Sequence, residues 1–426
     1  MNILIVSPFF PPVNTPDLHR IRQLLPYLKE NGCNTSVICI NEKDIAFNKE
    51  ENLLRTLPSN IEVLKVKQST SLIYELLGVN NPSIKTLLPM FFTLRKKLRK
   101  EKFDLIFFST TSFPTTIIGR ALGARYSIPY VIDMQDPWRS DHYLGMPKKQ
   151  RPSKFYLSYI FDTILEWYCM QKVSGILSVN TKYIQTLKNR YTSLVKVPSL
   201  TMPFGYSEID FKISEELEIK TPSFDASKIN FVYMGRVNNG MIHACEILFR
   251  VIQLGLEKHN SVFKNVKLYF IGTSYANKSD ASSHVDQIAL KYLPKDMIEV
   301  YPDRIGYLDS LTTMRMSDIL FMPGSTDGDY IASKALNVVY LNKKVFAVSN
   351  SNSEVVNLIG KLDNHLQVFL NDEKEVDFYN HTLEKLLNLI NQTTVTTKND
   401  KIEEYSARNQ AKELVGFFNK VINVKA

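Results

Sequence analysis

The sequence predicts an α/β protein built as two doubly wound domains in tandem, each a parallel sheet with helices on both faces. Three observations predict it. Short β-branched apolar runs alternate with helix-length amphipathic patterns, the rhythm that parallel strands and their crossovers impose. The alternation breaks once, at a polar and acidic stretch over residues 205–228, and then restarts. At 426 residues the chain also exceeds what one hydrophobic core usually holds. The expected division is a first domain over 1–204, a linker over 205–228 and a second domain over 229–405. A C-terminal helix over 406–426 is expected to pack back on the first domain.

Each element has its own signal. Ile3-Leu4-Ile5-Val6 is a continuous apolar run before Ser7 and the Pro8 to Pro16 loop, the mark of a strand covered on both faces. A helix pattern from about Asp17 to Glu30 follows and stops at Asn31-Gly32. Thr35 to Ile40, Ile61 to Val66, Asp104 to Phe108 and Tyr130 to Asp133 are the next strands, with helical patterns between them. Gly175 to Val179 and Val195 to Leu200 complete the first sheet. In the second half, Asn230 to Met234 runs into Gly235-Arg236, and Lys267 to Ile271 ends at Gly272. Met297 to Val300 is short, and Asp318 to Met322 ends in Pro323-Gly324. Ser333-Lys334 opens a helix with Ala335, Leu336, Val339 and Tyr340 at helical spacing, which leads into the Val345 to Val348 run. Glycines at the carboxyl ends of parallel strands let a ligand approach the backbone, which singles out Gly235, Gly272 and Gly324.

Composition and charge narrow the classes. With 44% hydrophobic and 22% charged residues the chain reads as soluble and globular. No apolar run reaches bilayer-spanning length, and the Met-Asn-Ile-Leu-Ile-Val-Ser-Pro start lacks the basic leader of a signal peptide. Cys33, Cys39, Cys169 and Cys245 show no metal-ligand spacing and read as thiols of a reducing, cytoplasmic setting. The net charge of +9 is uneven: residues 1–200 hold 27 Lys+Arg against 15 Asp+Glu, while residues 201–426 hold 25 against 28. No nucleic-acid recognition motif accompanies the basic half, so nucleic acid is not the expected partner. Two segments of it, 90–102 and 148–156, interleave cations with Phe91, Leu94, Leu98, Phe155 and Tyr156. Such segments suit an anionic membrane surface, although docking of Leu94 and Leu98 on the sheet is the plainer account of those two.

The chemistry-bearing residues cluster at strand ends. A hydroxyl, a cation and backbone N–H groups at a helix start form an anion site, so Ser333-Lys334 reads either as an ordinary cap or as a phosphate grip. Arg236, just past a strand end, is placed for a second basic contact or for a surface ion pair. Asp327-Gly328-Asp329 has the form of a two-carboxylate metal motif, yet in this architecture it reads as a turn. His19 and His142 are acid/base candidates only in the weak sense that any lone histidine is.

Taken in order, these residues resemble the sugar-nucleotide glycosyltransferases of the GT-B fold, in particular the retaining enzymes of family 4. The resemblance runs from Ile3–Pro12 with Arg20, through Asp133-Met-Gln-Asp136-Pro137-Trp138 and Pro203-Phe-Gly205-Tyr206, to Tyr233-Met-Gly235-Arg236. Ile271-Gly272, Ser317-Asp318-Ile-Leu-Phe-Met-Pro323 and the Ser333-Lys334 to Ala347 segment complete it. It implies two Rossmann-like domains facing across a cleft, with a nucleoside diphosphate sugar on the second and a glycan or lipid-linked saccharide acceptor on the first. Catalysis without an obligatory metal or other cofactor is implied too, with Arg236, Lys334 and Asp136 in the reaction. Gly235, Gly272, Ser333, Asn337, Asp329 and Gly324 would then bind the donor, and His19, Arg20, Trp138 and Arg139 the acceptor. Cell-surface polysaccharide synthesis at the inner face of the plasma membrane is the setting that fits.

The sequence departs from the family at informative places. A lysine usual about five residues after the arginine is absent, and Val237 to Met241 stands there. Asn337 aligns with the glutamate that holds the donor ribose, so an amide replaces a carboxylate. Gln135 replaces an arginine, and Val13-Asn14-Thr15-Pro16 stands where many relatives carry two glycines. Those departures keep a non-catalytic scaffold or partner subunit in play, and a sugar-nucleotide epimerase shares the fold.

Overall fold

The computed structural model describes residues 1–76, 79–139, 141, 144, 147–148, 151, 155–218, 222–273, 284–326, 334–353, 355–393 and 400–425. Contacts divide the chain into two compact units, Met1–Ser207 with Tyr405–Ala426, and Glu208–Glu404.

The first unit holds a seven-stranded parallel sheet of β1 (Asn2–Val6), β2 (Asn34–Ile40), β3 (Glu62–Val66), β4 (Leu105–Ser109), β5 (Tyr130–Met134), β6 (Gly175–Ser178) and β7 (Ser199–Thr201), in the order β3-β2-β1-β4-β5-β6-β7. Ile3 to Val6 of β1 are fully buried, with Ile5 opposite Val37 on one side and Phe107 on the other. A strand this enclosed must be apolar on both faces, which is why its sequence does not alternate. Helix Pro82–Lys100 starts at Asn81, whose side chain accepts the Ser83 N–H at 2.9 Å, and turns Met90, Leu94 and Leu98 into the core. The strand expected from Val195 to Leu200 is only β7, because Thr192–Leu194 forms a 3₁₀ turn that leaves Val195 exposed.

Helix Ala407–Lys425 lies against helix Leu18–Glu30 of the first unit. Its Phe418 meets Phe107 edge-on at 5.1 Å, and Phe417 and Val421 fill the space a side chain at Gly175 would need. The chain re-enters the unit beside its point of exit. Tyr206 donates its N–H to the Tyr405 carbonyl at 3.2 Å, and Ala407 donates to the Tyr206 carbonyl at 2.8 Å.

The second unit holds a six-stranded parallel sheet of β8 (Ile229–Met234), β9 (Val266–Ile271), β10 (Ile298–Tyr301), β11 (Ile319–Pro323), β12 (Lys344–Ser349) and β13 (His365–Phe369), ordered β10-β9-β8-β11-β12-β13. Strand order reverses between β8 and β11, which is where such sheets open a crevice for ligands. The rings of Phe249, Phe270, Phe321 and Phe346 form a continuous run through its core. β13 was not among the predicted strands. It is an edge strand that buries Leu366 and Val368, and the His365 and Gln367 between them dilute the apolar signal. Within the stretch read as linker, Glu208–Glu215 is a helix of the second unit. It buries Phe211 and Ile213, stacks Phe211 on Tyr340 at 4.3 Å and accepts the Thr312 hydroxyl at the Ser214 carbonyl (2.8 Å). Acidic Glu208 and Asp210 suit its first turn, and they are what gave the segment a linker's composition. Among the described residues no helix is long and apolar enough to cross a membrane.

Candidate functional site

The carboxyl edge of the second sheet is built around two left-handed glycines. β8 ends at Met234, and Gly235 (φ +145°) donates its N–H to the Ile271 carbonyl at 2.9 Å. β9 ends at Ile271, and Gly272 (φ +74°) repeats the move, donating to the Tyr301 carbonyl of β10 at 2.8 Å. At these angles a side chain would be strained, so the two positions need glycine. A side chain at Gly272 would sit 3.8 Å from the Arg304 Cα, which places Arg304 directly beside the turn. Tyr233 folds its hydroxyl back to donate to the Arg236 carbonyl at 2.7 Å, holding the backbone of the exposed Arg236. Gly324 serves packing: a side chain there would strike the Val348 carbonyl at 2.8 Å. The loop after β8 is tied to the loop after β11 by the Thr326 N–H on the Gly240 carbonyl at 3.0 Å.

Lys334 lies half-buried at the start of helix Ala335–Leu341, after β11. Burial and the nearby Arg304 charge push its ammonium down to about 8. The helix has only seven residues and gets no side-chain cap, so its dipole is small. One turn on, Asn337 is 4% exposed; its amide nitrogen reaches the Tyr307 hydroxyl at 3.5 Å, and its Oδ1 has no hydrogen-bond partner among the described residues. Thr273, buried just past Gly272, likewise has an unpartnered Oγ1. A buried acceptor left unpaired costs about 1–3 kcal/mol, so such atoms mark a place that a ligand's hydroxyl would complete. Ser333, Asp329 and the rest of Asp327 to Ala332 lie outside the described residues, as does His142.

Met241, at the place of the usual family lysine, is buried at the start of helix Ile242–Lys258 and packs in the hydrophobic core. No charge can stand there. Arg304 is the cation that sequence reading missed. Its signal was its place three residues past the end of β10, close to that of Arg236 two residues past β8, but only the β9–β10 pairing brings it beside Gly272, from where its charge lowers the Lys334 pKa. Among the described residues no group of three or more His, Cys, Asp or Glu could hold a metal ion.

In the first unit the named residues separate. Arg20 is a buried cation, its Nε 3.2 Å from Asp133, its NH2 donating to the Met202 carbonyl at 2.8 Å and its guanidinium over the Phe204 ring. Gln135 donates to Asp133 at 2.9 Å, and the Ser109 hydroxyl does so at 3.2 Å. Burial pushes the Asp133 carboxyl up and the Arg20 guanidinium down, each partly offset by the other. Removing one member would leave a buried charge unpaired, at a cost of about 3–5 kcal/mol. Arg20 thus joins β5 to helix Leu18–Glu30 instead of presenting its charge at a surface. Trp138 is 7% exposed and stacked on Phe113 at 5.2 Å, a core position, with its indole N–H donating to Asp162. His19 bonds Asn14 at 3.1 Å, and Arg139 pairs with Asp141 at 3.3 Å. Asp136 alone stays exposed past the end of β5, its carboxyl raised by partial desolvation and by the Asp17 charge.

No protein-family model and no curated protein matches the chain by sequence. Solved structures match it in shape. Sucrose-phosphate synthase from Thermosynechococcus elongatus gives a TM-score of 0.60 at 12% identity, covering 99% of each chain. HepE of Anabaena, solved in complex with UDP, gives 0.58 at 14% identity, covering 99% of this chain and 100% of that one. A putative UDP-N-acetylglucosamine 2-epimerase from Listeria monocytogenes gives 0.53 at 10% identity, covering 97% and 94%. At such identities the likeness carries the fold and nothing finer. With two parallel sheets flanked by helices, shared along nearly its whole length with these structures, the chain has the GT-B fold.

Proposed function

We propose that this chain is a glycosyltransferase that passes a sugar, with retention, from a nucleoside diphosphate donor to a glycan or lipid-linked saccharide in cell-surface polysaccharide synthesis. The observation that carries the reading is the carboxyl edge of the second sheet, where Gly235 and Gly272 turn the backbone, Arg304 lies beside Gly272, and the buried Asn337 Oδ1 and Thr273 Oγ1 have no partner among the described residues. Burial and the Arg304 charge hold the Lys334 ammonium down, and a bound diphosphate would act in the opposite sense. The new bond forms between the acceptor oxygen and the anomeric carbon as the bond to the phosphate oxygen breaks. Negative charge then grows on the departing diphosphate, and Lys334, Arg304 and Arg236 are the groups to stabilise it. The acceptor's proton passes to that phosphate, so no protein base is required. Asn337 Oδ1 would accept from a ribose hydroxyl in place of the family's carboxylate, and Gly235 and Gly272 leave the backbone open to the phosphates. No metal is needed where two cations already face the charge. Asp136, exposed past the end of β5, is the candidate acceptor contact of the first unit. The neighbour solved with UDP favours a uridine donor.

A thermal-shift screen against UDP-, GDP- and ADP-sugars tests the donor. One sugar nucleotide at about a hundred times its Kd should stabilise the chain by about 2.7 kcal/mol, and Arg304→Ala or Lys334→Ala should abolish the shift. No shift with any donor would overturn the reading. The buried Met241 favours a second reading, a binding subunit without turnover. Donor binding with no release of nucleoside diphosphate in the presence of acceptor would establish it. Recovery of an epimerised sugar nucleotide would instead identify an epimerase.

A further inference from the structure

Helix Phe155–Met170 is apolar on two opposite faces. Inward, Phe155, Cys169 and Met170 are buried and Glu166 is paired with Arg190. Outward, Leu157, Ile160, Phe161, Ile164 and Trp167 recur at helical spacing, and all are exposed, Leu157 by 74% and Trp167 by 52%. A helix apolar on two faces needs cover on both, and the described residues supply it on one.

The neighbouring layer identifies the cover. Helix Ile117–Tyr126 packs beside this helix, and Pro82–Lys100 packs beside that one. The two hold eight Lys and Arg and no Asp or Glu. Arg120 lies over the Tyr168 ring at 5.3 Å, and at the other end Arg151 lies over Phe155 at 5.8 Å. Cations therefore border the apolar stripe at both ends. A second copy docked through the same face would bring two basic layers together, so charge opposes a symmetric dimer. An anionic lipid surface meets both demands, taking the stripe into its headgroup–acyl boundary and the cations into its surface potential.

We propose that helix Phe155–Met170 is the membrane-docking face of the first unit, lying in the plane of an anionic leaflet. The sequence had pointed to segments 90–102 and 148–156, but Leu94 and Leu98 of the former are spent on the core. The cations of 90–102 and Arg151 supply charge, and the helix supplies the apolar contact. The proposal stands apart from the donor chemistry, since docking requires no sugar nucleotide.

The test is sedimentation of the full chain with vesicles of phosphatidylcholine, with and without phosphatidylglycerol. Binding is expected only with the anionic lipid and should weaken as salt rises. Trp138 is already buried, so a blue shift of tryptophan emission on binding would report Trp167. The double variant Ile160→Asp/Ile164→Asp should lose about tenfold or more in partition, with its melting temperature unchanged because both side chains face outward. No sedimentation of the wild type, or equal binding of the variant, would overturn the proposal. A dimer in light scattering that the variant dissolves would overturn it in favour of a second copy. Should the variant fail to fold, the wild-type emission decides: no blue shift with anionic vesicles overturns the proposal.

Discussion

At the scale of single residues, Lys334 gives the sharpest expectation. Its ammonium is held down to about 8 in the free protein by burial and Arg304, and a bound diphosphate would raise it. Donor binding should therefore take up a proton above that pH, with affinity full below about 8 and falling up to about tenfold per pH unit above it. Calorimetric titration across that range checks this, and Lys334→Arg should flatten the profile while Lys334→Ala removes binding at every pH. Lys334 was legible in the sequence because a cation at a helix start after a strand is a local pattern. Arg304 was not. Pro302-Asp303-Arg304-Ile305-Gly306 reads as a turn, and its importance comes from a strand pairing that no local window contains. For Trp138 and Arg20 the structure shows partners that the sequence did not. Their types suggested contacts with a sugar, but a ring stacked on Phe113 and a guanidinium bound to Asp133 are already committed.

At the scale of elements, the sequence was most informative where burial is complete. Ile3–Val6 of β1, Leu105–Phe108 of β4 and Phe231–Met234 of β8 are uninterrupted apolar runs, so pattern and structure coincide. It was least informative at edges, where β13 needs only two inward side chains and β7 has three residues. Helix Glu208–Glu215 shows how composition misleads: its acids stand in its first turn while Phe211 anchors it on Tyr340. Phe211→Ala should cost about 3–5 kcal/mol, visible in urea as an earlier transition of the second unit with the first unit's transition unmoved. The glycines divide the same way. Gly235 and Gly272 were expected from their strand ends and hold the backbone turns that make the edge, whereas Gly324 at an equivalent position only admits the neighbouring strand.

At the scale of the whole molecule, the two-part rhythm and the basic first half were readable without coordinates, since both are sums over many residues. What covers each helix was not, because exposure is a property of the packed state. The first unit is completed by helix Ala407–Lys425, which closes over Phe107 and Gly175. Deleting 407–425 should expose that flank, turning the first unit into the protease-sensitive part in limited proteolysis while 208–404 survives. The same closure has a consequence for the timing of folding. The first unit opens with β1, yet its last wall is made by residues 407–425, which are synthesised after the whole of the second unit. During synthesis the second unit can therefore be finished while the first still lacks a side, and a chaperone would find its apolar surface there.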